Sequence, residues 1–342
     1  MTEGTRYVDR AIPKISLKDF AVRVDEITTQ LCDAAENVGF FAIVDHGIAT
    51  SEIDTMFATS EAFFSLPEDI KGLVPWNSNN VGWENKSQIR PSTGAPDMKE
   101  SYQLQFGDNM RSGGGPFKTD SMWLSDEHLP GFQSTCLDFM HRLQALSKLL
   151  MVCFARGLGF PDDYFIRLHD ADRPDSQTVL RLLHYYPTPT PTDSKVHHRA
   201  GAHTDWGFLT LLFQRPGQPG LEICPGKEAN SEFALDDPWT RVEFDGPDTI
   251  ICNIGDLLMS WSDDRFKSTF HRVKAPCEPG DYFGEWYSIA FFNQPCKDAV
   301  IQGPRKKYPS ITGEQFIQRA MQTHFAALQE KLKRQAEEGA GV

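Results

Sequence analysis

The chain has 342 residues, of which 40% are hydrophobic and 24% charged, and its net charge is −13. This composition is typical of a globular protein with a large core, and the negative charge disfavours nucleic acid or an anionic membrane as the main partner, since both attract Lys and Arg. The seven scattered cysteines contain no C-x-x-C pair, so we expect no disulfide framework and a reducing, cytoplasmic location. The N-terminal segment lacks an apolar run and no stretch approaches about 18 apolar residues, so neither a secretory signal nor a transmembrane helix is expected.

The first predicted elements are an extended entry segment, "IPKISLKDF", and a helix followed by a strand. Apolar residues recur at helical spacing at Ile27, Leu31 and Ala34, and Gly39 suits the end of that helix. The run "FFAIV" that follows has the length and residue types of a buried strand. The chain therefore begins with alternating helical and extended segments.

The next elements continue a helix-rich N-terminal half. A second helical pattern ends at Pro67, whereas residues 74–97 are rich in Asn, Gly, Ser and Pro and are predicted to form long loops or a lid. The longest helical pattern runs from Phe132 to Ala155.

The pattern changes near Val179 to short β-rich runs separated by Gly, Pro and Asp. Six or more such runs predict an antiparallel sandwich or barrel. The segment "GEQFIQRAMQTHFAALQEKLKRQAEE" is predicted to close the chain as a helix.

The segment "GAHTDWGFLTLLFQ" contains a candidate metal site. On a strand, residues i and i+2 point to the same face, so His203 and Asp205 could both face the interior of a barrel. Two imidazoles and one carboxylate form the facial triad typical of non-haem Fe(II), although zinc binds the same ligand types. An H-x-D pair alone is a weak signal and fits a solvated histidine near a turn better than a metal ligand. A second histidine, His271, lies at the centre of a predicted strand, Thr269 to Val273; alone, it would also fit a core histidine.

The chain resembles the Fe(II)/2-oxoglutarate-dependent oxygenases of the branch that contains isopenicillin N synthase, plant flavonoid oxygenases and fungal thymine hydroxylase. The resemblance rests on motifs in the family's order over nearly the whole chain: "IPKISL", "GFFAIVDHGI", "FFSLP", "DMKESY", "LRLLHYYP", "HTDWGFLTLLFQ", "GLEI", "GDLL" and "HRV". It implies mixed α and β structure with a double-stranded β-helix (jelly roll) core, Fe(II) on His203, Asp205 and His271, and coupling of O₂ and 2-oxoglutarate to C–H oxidation of a small organic molecule.

We expect the chain to form one structural unit with three regions. Residues 1–120 are expected to pack on the barrel, residues 121–300 to contain the long helix and the jelly roll, and residues 301–342 to form the C-terminal helix.

One residue departs from the family pattern. Family members carry R-x-S on the strand after the second histidine, and its Arg and Ser bind the far carboxylate of 2-oxoglutarate. Here the tripeptide is Trp286-Tyr287-Ser288, so the serine is kept and the arginine is not. The resemblance also implies that Tyr186 reaches that carboxylate and that His184 stands where an Asn is common. Trp286 by itself would also fit a core aromatic residue.

Three explanations of the missing arginine remain open. Another cation could supply the charge, with Arg181, Arg272 and Lys267 as candidates. The enzyme could instead be a 2-oxoglutarate-independent Fe(II) oxidase of the isopenicillin N synthase type, or a variant with impaired cosubstrate binding. A binding protein that has lost turnover is a further alternative, which an intact triad argues against. Substrate contacts are predicted for Arg181, Trp206 and Phe292, with Trp206 and Arg181 on opposite sides of a flat substrate.

Overall fold

The structure is a computed structural model and describes residues 5–77, 79–89, 92, 96–111, 121–188, 198–218, 220–225, 229–243, 246, 248–276 and 282–323. The helices are α1 (Phe20–Asn37), α2 (Thr50–Phe64), α3 (Glu68–Lys71), α4 (Phe132–Leu158), α5 (Tyr164–Leu168), α6 (Asp256–Trp261) and α7 (residues 313–323). The strands are β1 (Lys14–Ser16), β2 (Phe40–Val44), β3 (Gly82–Asn85), β4 (Lys99–Gln105), β5 (Val179–Tyr185), β6 (His198–His203), β7 (Leu209–Gln214), β8 (Leu221–Cys224), β9 (Thr240–Arg241), β10 (Ile250–Ile254), β11 (Phe270–Lys274), β12 (Trp286–Asn293), β13 (Val300–Ile301) and β14 (Ile311–Thr312).

Two facing sheets form a jelly roll. The larger sheet has eight strands in the order β1-β2-β10-β7-β12-β5-β4-β3, and the smaller has the order β6-β11-β8-β9. Apolar side chains of both sheets meet in the space between them, as where Phe40 of β2 and Ile251 of β10 pack with Leu221 and Ile223 of β8. The three predicted metal ligands border this space.

Side-chain alternation explains how the larger sheet can pack on two sides. Along β12, Tyr287, Ile289 and Phe291 belong to the main core, which contains the apolar faces of α1, α2 and α4. Trp286 and Ala290 belong to a separate cluster between the sheets. Since successive strand residues point to opposite faces, odd positions of β12 cover the helices and even positions face the smaller sheet.

The predicted helices are confirmed in the N-terminal half and in α4, which begins at the expected Phe132 and extends to Leu158. The first helix ends as expected before Gly39, whose φ of 76° is left-handed and whose N–H bonds to the carbonyl of Ala34. The loops predicted for residues 74–97 are partly wrong, because β3 lies there and pairs with β4. Of the predicted closing helix, residues 313–323 are helical and the rest lies outside the described residues.

Strands from the first two predicted regions share one sheet. Strands β1 to β4 come from the first 120 residues, and β5, β7, β10 and β12 come from the predicted barrel region. Within the described part of the chain, none of the helices has the length and apolar character needed to span a bilayer.

Candidate metal centre and cosubstrate cavity

Three candidate ligand side chains converge between the sheets. His203 is the last residue of β6, and His271 lies directly opposite it on β11. The Oδ1 atom of Asp205 is 4.0 Å from Nε2 of His203 and 3.6 Å from Nε2 of His271. All three ligand atoms lie within 4.8 Å of one another. The spacing brings two imidazoles and one carboxylate to a single point.

Asp205 lies in the turn after β6 rather than on the strand itself, which differs from the simple i, i+2 expectation. The start of α6 holds this turn: the N–H groups of Asp256 and Leu257 donate to the carbonyls of Asp205 and Trp206 at 2.7 and 3.3 Å. The first N–H groups of a helix lack intrahelical acceptors, so they are available for this contact. The carboxylate is thus positioned by α6 as well as by β6.

Backbone carbonyls orient both imidazoles. Nδ1 of His203 is 2.8 Å from the carbonyl oxygen of Gly201, and Nδ1 of His271 is 3.2 Å from that of Thr269. A carbonyl oxygen only accepts hydrogen bonds, so Nδ1 carries the proton in each ring. The lone pair is then on Nε2, the atom that faces Asp205, which is the tautomer that a metal ligand needs.

The two oxygens of Asp205 have different surroundings. Oδ2 accepts hydrogen bonds from Thr210 Oγ1 at 2.6 Å and from Asn253 Nδ2 at 2.8 Å, whereas Oδ1 faces the imidazoles. Burial tends to raise the pKa of this carboxyl, but the electrostatic interaction with His271 and the two hydrogen bonds outweigh it and lower the pKa. Asp205 is therefore held as a carboxylate with one oxygen directed at the two histidines.

This donor set fits Fe(II). Two neutral imidazoles and one carboxylate on one side of a metal match the facial triad of non-haem iron, which leaves positions open for other ligands. The ligand atoms of His203, Asp205 and His271 lie close enough together for the three side chains to hold the ion.

The triad opens into a cavity of about 490 Å³ between the two sheets. Four of the residues predicted for the cosubstrate and the substrate line it together with the triad: Arg181, Trp206, Ser288 and Phe292. The guanidinium of Arg181 donates to Gln103 Oε1 at 2.6 Å and lies 5.1 Å from the ring centre of Phe292. A second cavity of about 480 Å³ shares His203 and Trp206 with it and is bounded by α7.

The other two predicted cosubstrate residues, His184 of β5 and Tyr186 directly after it, are not among the described residues that line the cavity. His184 Nδ1 is 2.8 Å from Glu100 Oε1, and its ring stacks on Tyr287 at 4.7 Å. The hydroxyl of Tyr186 donates to Asn85 Oδ1 at 2.9 Å. The structure thus corrects the prediction that these two residues contact the cosubstrate. Arg181, Leu183 and Tyr185 line the cavity instead, since alternate residues of a strand point to opposite faces.

Tyr185 lines the cavity where Tyr186 was expected. Counting two and four residues on from Arg181 identifies Leu183 and Tyr185, so this alternation was a sequence signal that could have found them. Lys99 at the start of β4 also lines the cavity, and its position depends on a strand pairing that the sequence did not predict.

Trp286 is fully buried in the cluster between the sheets. Its indole lies 5.4 Å from the ring of Tyr185 and 5.4 Å from the guanidinium of Arg199. Two of the cations considered as replacements for an arginine at this position are engaged elsewhere. Arg272 pairs with the buried Glu222 at 2.8 Å, and Lys267 Nζ donates to the carbonyl of Asp264 at 2.7 Å.

Two family models match the chain. Residues 12–125 match the model of the N-terminal region of non-haem dioxygenases in morphine synthesis, and residues 175–295 match the 2OG-Fe(II) oxygenase superfamily. The second match contains the whole triad, and the first contains Lys99.

Similar proteins include fungal enzymes. The proline hydroxylase buaE of Petromyces alliaceus is 31% identical over 291 residues, which cover 82% of this chain and 85% of that protein. The 2-oxoglutarate-dependent dioxygenase frbA of a Dothideomycetidae species is 31% identical over 285 residues, covering 77% and 78%. The thymine hydroxylase of Neurospora crassa, solved with alpha-KG and thymine, superposes with a TM-score of 0.75 at 28% identity and covers 94% of this chain and 99% of its own.

Proposed function

The chain belongs to the 2OG-Fe(II) oxygenase superfamily and is an Fe(II)/2-oxoglutarate-dependent dioxygenase, and we propose that it oxidises a C–H bond of a small organic molecule in the cavity between its sheets. The observation that carries this proposal is the convergence of His203, Asp205 and His271 on one point of the cavity wall. We assign Fe(II) to these three side chains. Bound iron, with 2-oxoglutarate and O₂, supplies the oxidising power for the reaction.

The chain's own residues position the reactants. The backbone carbonyls of Gly201 and Thr269 keep both Nε2 atoms available to the metal, while Thr210 and Asn253 keep Asp205 Oδ1 directed at it. Apolar side chains on the inner faces of the sheets exclude water around the reacting atoms, which protects reactive species from side reactions. Ser288 and Tyr185 are assigned to the cosubstrate, since both line the cavity on the inner face of the larger sheet.

The substrate contacts are assigned to Arg181, Trp206 and Phe292. Arg181 brings a cation and hydrogen-bond donors to the cavity, and the two aromatic residues offer flat apolar faces. A flat polar molecule with a carbonyl or carboxylate oxygen would satisfy all three. The named relatives act on proline or bind thymine, which supports a search among amino acids and nucleobases.

The 2-oxoglutarate-independent alternative rests on Trp286 alone. Relatives that cover most of the chain are named 2-oxoglutarate-dependent dioxygenases, and they give the alternative no support. The intact triad likewise favours an enzyme over a binding protein that has lost turnover.

The proposal is tested by anaerobic loading with Fe(II) and titration with 2-oxoglutarate, followed by O₂ and a panel of amino acids and nucleobases. A metal-to-ligand charge-transfer band, and succinate formed in proportion to an oxidised product, are expected. An Asp205→Ala variant serves as the control and should give neither. Fe(II)-loaded parent protein that shows no band and no succinate would overturn the proposal.

We also infer that the chain is one structural unit, since strands from residues 1–120 complete the catalytic sheet.

A cytoplasmic location, without nucleic acid or membrane as partner, is proposed from the net charge of −13 and the scattered cysteines. Fractionation of cells that express the tagged chain would test the location.

A further inference from the structure

Lys99 and Trp286 lie on the same cross-strand row of the larger sheet. Tyr185 of β5 pairs with Lys99 of β4 on one side and with Trp286 of β12 on the other. Residues directly opposite each other in a sheet point to the same face, and Lys99 and Tyr185 both line the cavity. The ammonium group of Lys99 therefore lies at the cavity wall, two strands away from the indole of Trp286.

The surroundings of Lys99 are those of a buried cation held in place. Only 4% of its side chain is exposed, and Nζ lies 3.1 Å from Asp97 Oδ2 and 5.9 Å from the ring centre of Tyr185. The other oxygen of Asp97 accepts a hydrogen bond from the N–H of Gly201 at 3.3 Å. Asp97 thus compensates the buried charge and ties the start of β4 to β6. An ammonium has three donors in a tetrahedral arrangement, so it can bind two carboxylates together.

Two neutral polar side chains lie on the neighbouring row. Ser288 of β12 pairs with Gln214 of β7, and both line the cavity. Gln214 is only 8% exposed, and its side-chain Oε1 has no hydrogen-bond partner among the described residues. A buried polar group normally finds a partner, so this amide points to a polar ligand in the same part of the cavity.

A dicarboxylic 2-oxo acid bound to the metal through its oxo-acid end must place its second carboxylate elsewhere in the cavity. A buried carboxylate without a cation is costly. Lys99 and Arg181 are the lysine and arginine side chains among the described residues of the cavity wall. Arg181 is on the metal side of the cavity: it pairs with Ala290 of β12, and Phe292, two residues further along β12, pairs with Thr210, whose hydroxyl donates to Asp205. Lys99 pairs with Tyr185, four residues further along β5, which is about 13 Å at 3.3 Å per residue.

We propose that Lys99, with Ser288 and Gln214, binds the distal carboxylate of 2-oxoglutarate, and so supplies from β4 the charge that Trp286 cannot supply from β12. This inference rests on the proposed function of the cavity. It makes Lys99 the residue that selects a dicarboxylic cosubstrate. The rival cation is Arg199, whose guanidinium lies over Trp286 and donates to the carbonyl of Gly284 at 2.8 Å, but which is not among the described residues of the cavity wall.

The test compares two 2-oxo acids by the charge-transfer band of the Fe(II)-loaded protein under anaerobic conditions. 2-Oxoglutarate carries the distal carboxylate, and 2-oxopentanoate has the same chain length without it. The ratio of their Kd values measures what that carboxylate contributes. Lys99→Met should lower this preference for 2-oxoglutarate by roughly 10- to 100-fold, with the Kd of 2-oxopentanoate nearly unchanged.

Two further variants keep the test decisive. Asp97→Asn combined with Lys99→Met removes both charges of the pair, so it avoids an unpaired buried carboxylate and should show the same loss of preference. Arg199→Met removes the rival cation and should leave the preference unchanged.

Each outcome separates the two proposals. A parent protein that gives no band with either acid would overturn the proposed function and, with it, this inference. A parent that binds both acids normally, while both Lys99 variants keep its preference or Arg199→Met loses it, would overturn the role of Lys99 alone. Equal weakening of both acids would make Lys99 a structural residue and also overturn the inference.

Discussion

The rings of Trp286 and Tyr185 lie opposite each other on β12 and β5 with centroids 5.4 Å apart. The backbone of Gly220 lies beside the same indole, where a Cβ atom would come 3.0 Å from Cζ3 of Trp286. Trp286 therefore fills a space that neighbouring residues leave for it, and its indole is part of the wall between the sheets. This arrangement makes the substitution at position 286 testable by packing as well as by ligand binding.

Gly220→Ala should destabilise the protein by about 1–3 kcal/mol. The added Cβ meets the indole, and φ of 144° at Gly220 is a conformation that L side chains rarely adopt. Trp286→Phe in the same background should recover part of the loss, because the smaller ring gives the Cβ room. Urea unfolding measures both changes. Strict additivity of the two substitutions would contradict a contact between them. Gly217→Ala, at a positive φ with no atom within 4 Å of the new Cβ, shows what backbone strain costs alone.

An arginine at position 286 should compensate for loss of Lys99. In a Lys99→Met background, Trp286→Arg should tighten 2-oxoglutarate binding by roughly tenfold or more, because a guanidinium pairs well with a carboxylate. The Kd from the anaerobic charge-transfer band is the measurement. Trp286→Met in the same background adds no charge and should give no recovery. If Arg and Met behave alike, position 286 does not face the distal carboxylate.

Loss of the Thr210 hydroxyl should weaken metal binding by roughly 10- to 100-fold. Thr210→Val removes the 2.6 Å hydrogen bond to Asp205 Oδ2 with little change in shape. Competition between the protein and a chelator for Fe(II) gives the affinity. Thr249→Val, at a buried threonine that does not bond to the triad, should retain the parent value. An unchanged affinity in Thr210→Val would show that Asn253 alone orients the carboxylate.

His169 should make folding stability depend on pH. Burial lowers the pKa of its imidazole to about 4, against an ordinary value of 6.5. Between these values the unfolded chain binds a proton that the folded protein does not, so stability falls as the pH drops through this window. The loss from this group at about pH 5 is about 2 kcal/mol relative to about pH 7.5.

The matching variant is His169→Phe, since the imidazole packs against Phe208 and Phe165. Unfolding of the metal-free proteins at both pH values should show a smaller loss in this variant than in the parent. The exposed His141→Gln should keep the parent's dependence. An equal loss in the parent and in His169→Phe would assign the pH dependence to other groups.

Local patterns were sufficient for much of the fold and for the metal site. The helical periodicity of Phe132 to Ala155 predicted α4 almost to its last turn, because an amphipathic helix carries its pattern in consecutive residues. The triad was predictable because His203 and Asp205 are near neighbours in sequence and His271 lies in a motif that can be read alone. Trp286 was identified as a departure for the same reason.

The sequence by itself determined the family, the ligand types and the loss of the arginine at position 286. The sequence motifs indicated both faces of β5, through Arg181 on one and His184 on the other. Only the tertiary structure decided which of the two faces lines the cavity, so Tyr185 lines the wall and Tyr186 does not. The place of Lys99 was likewise decided by the pairing of β4 with β5, between segments about 80 residues apart in the sequence. Such pairings depend on which strands meet when the whole sheet forms, and local residue patterns contain no information about that choice.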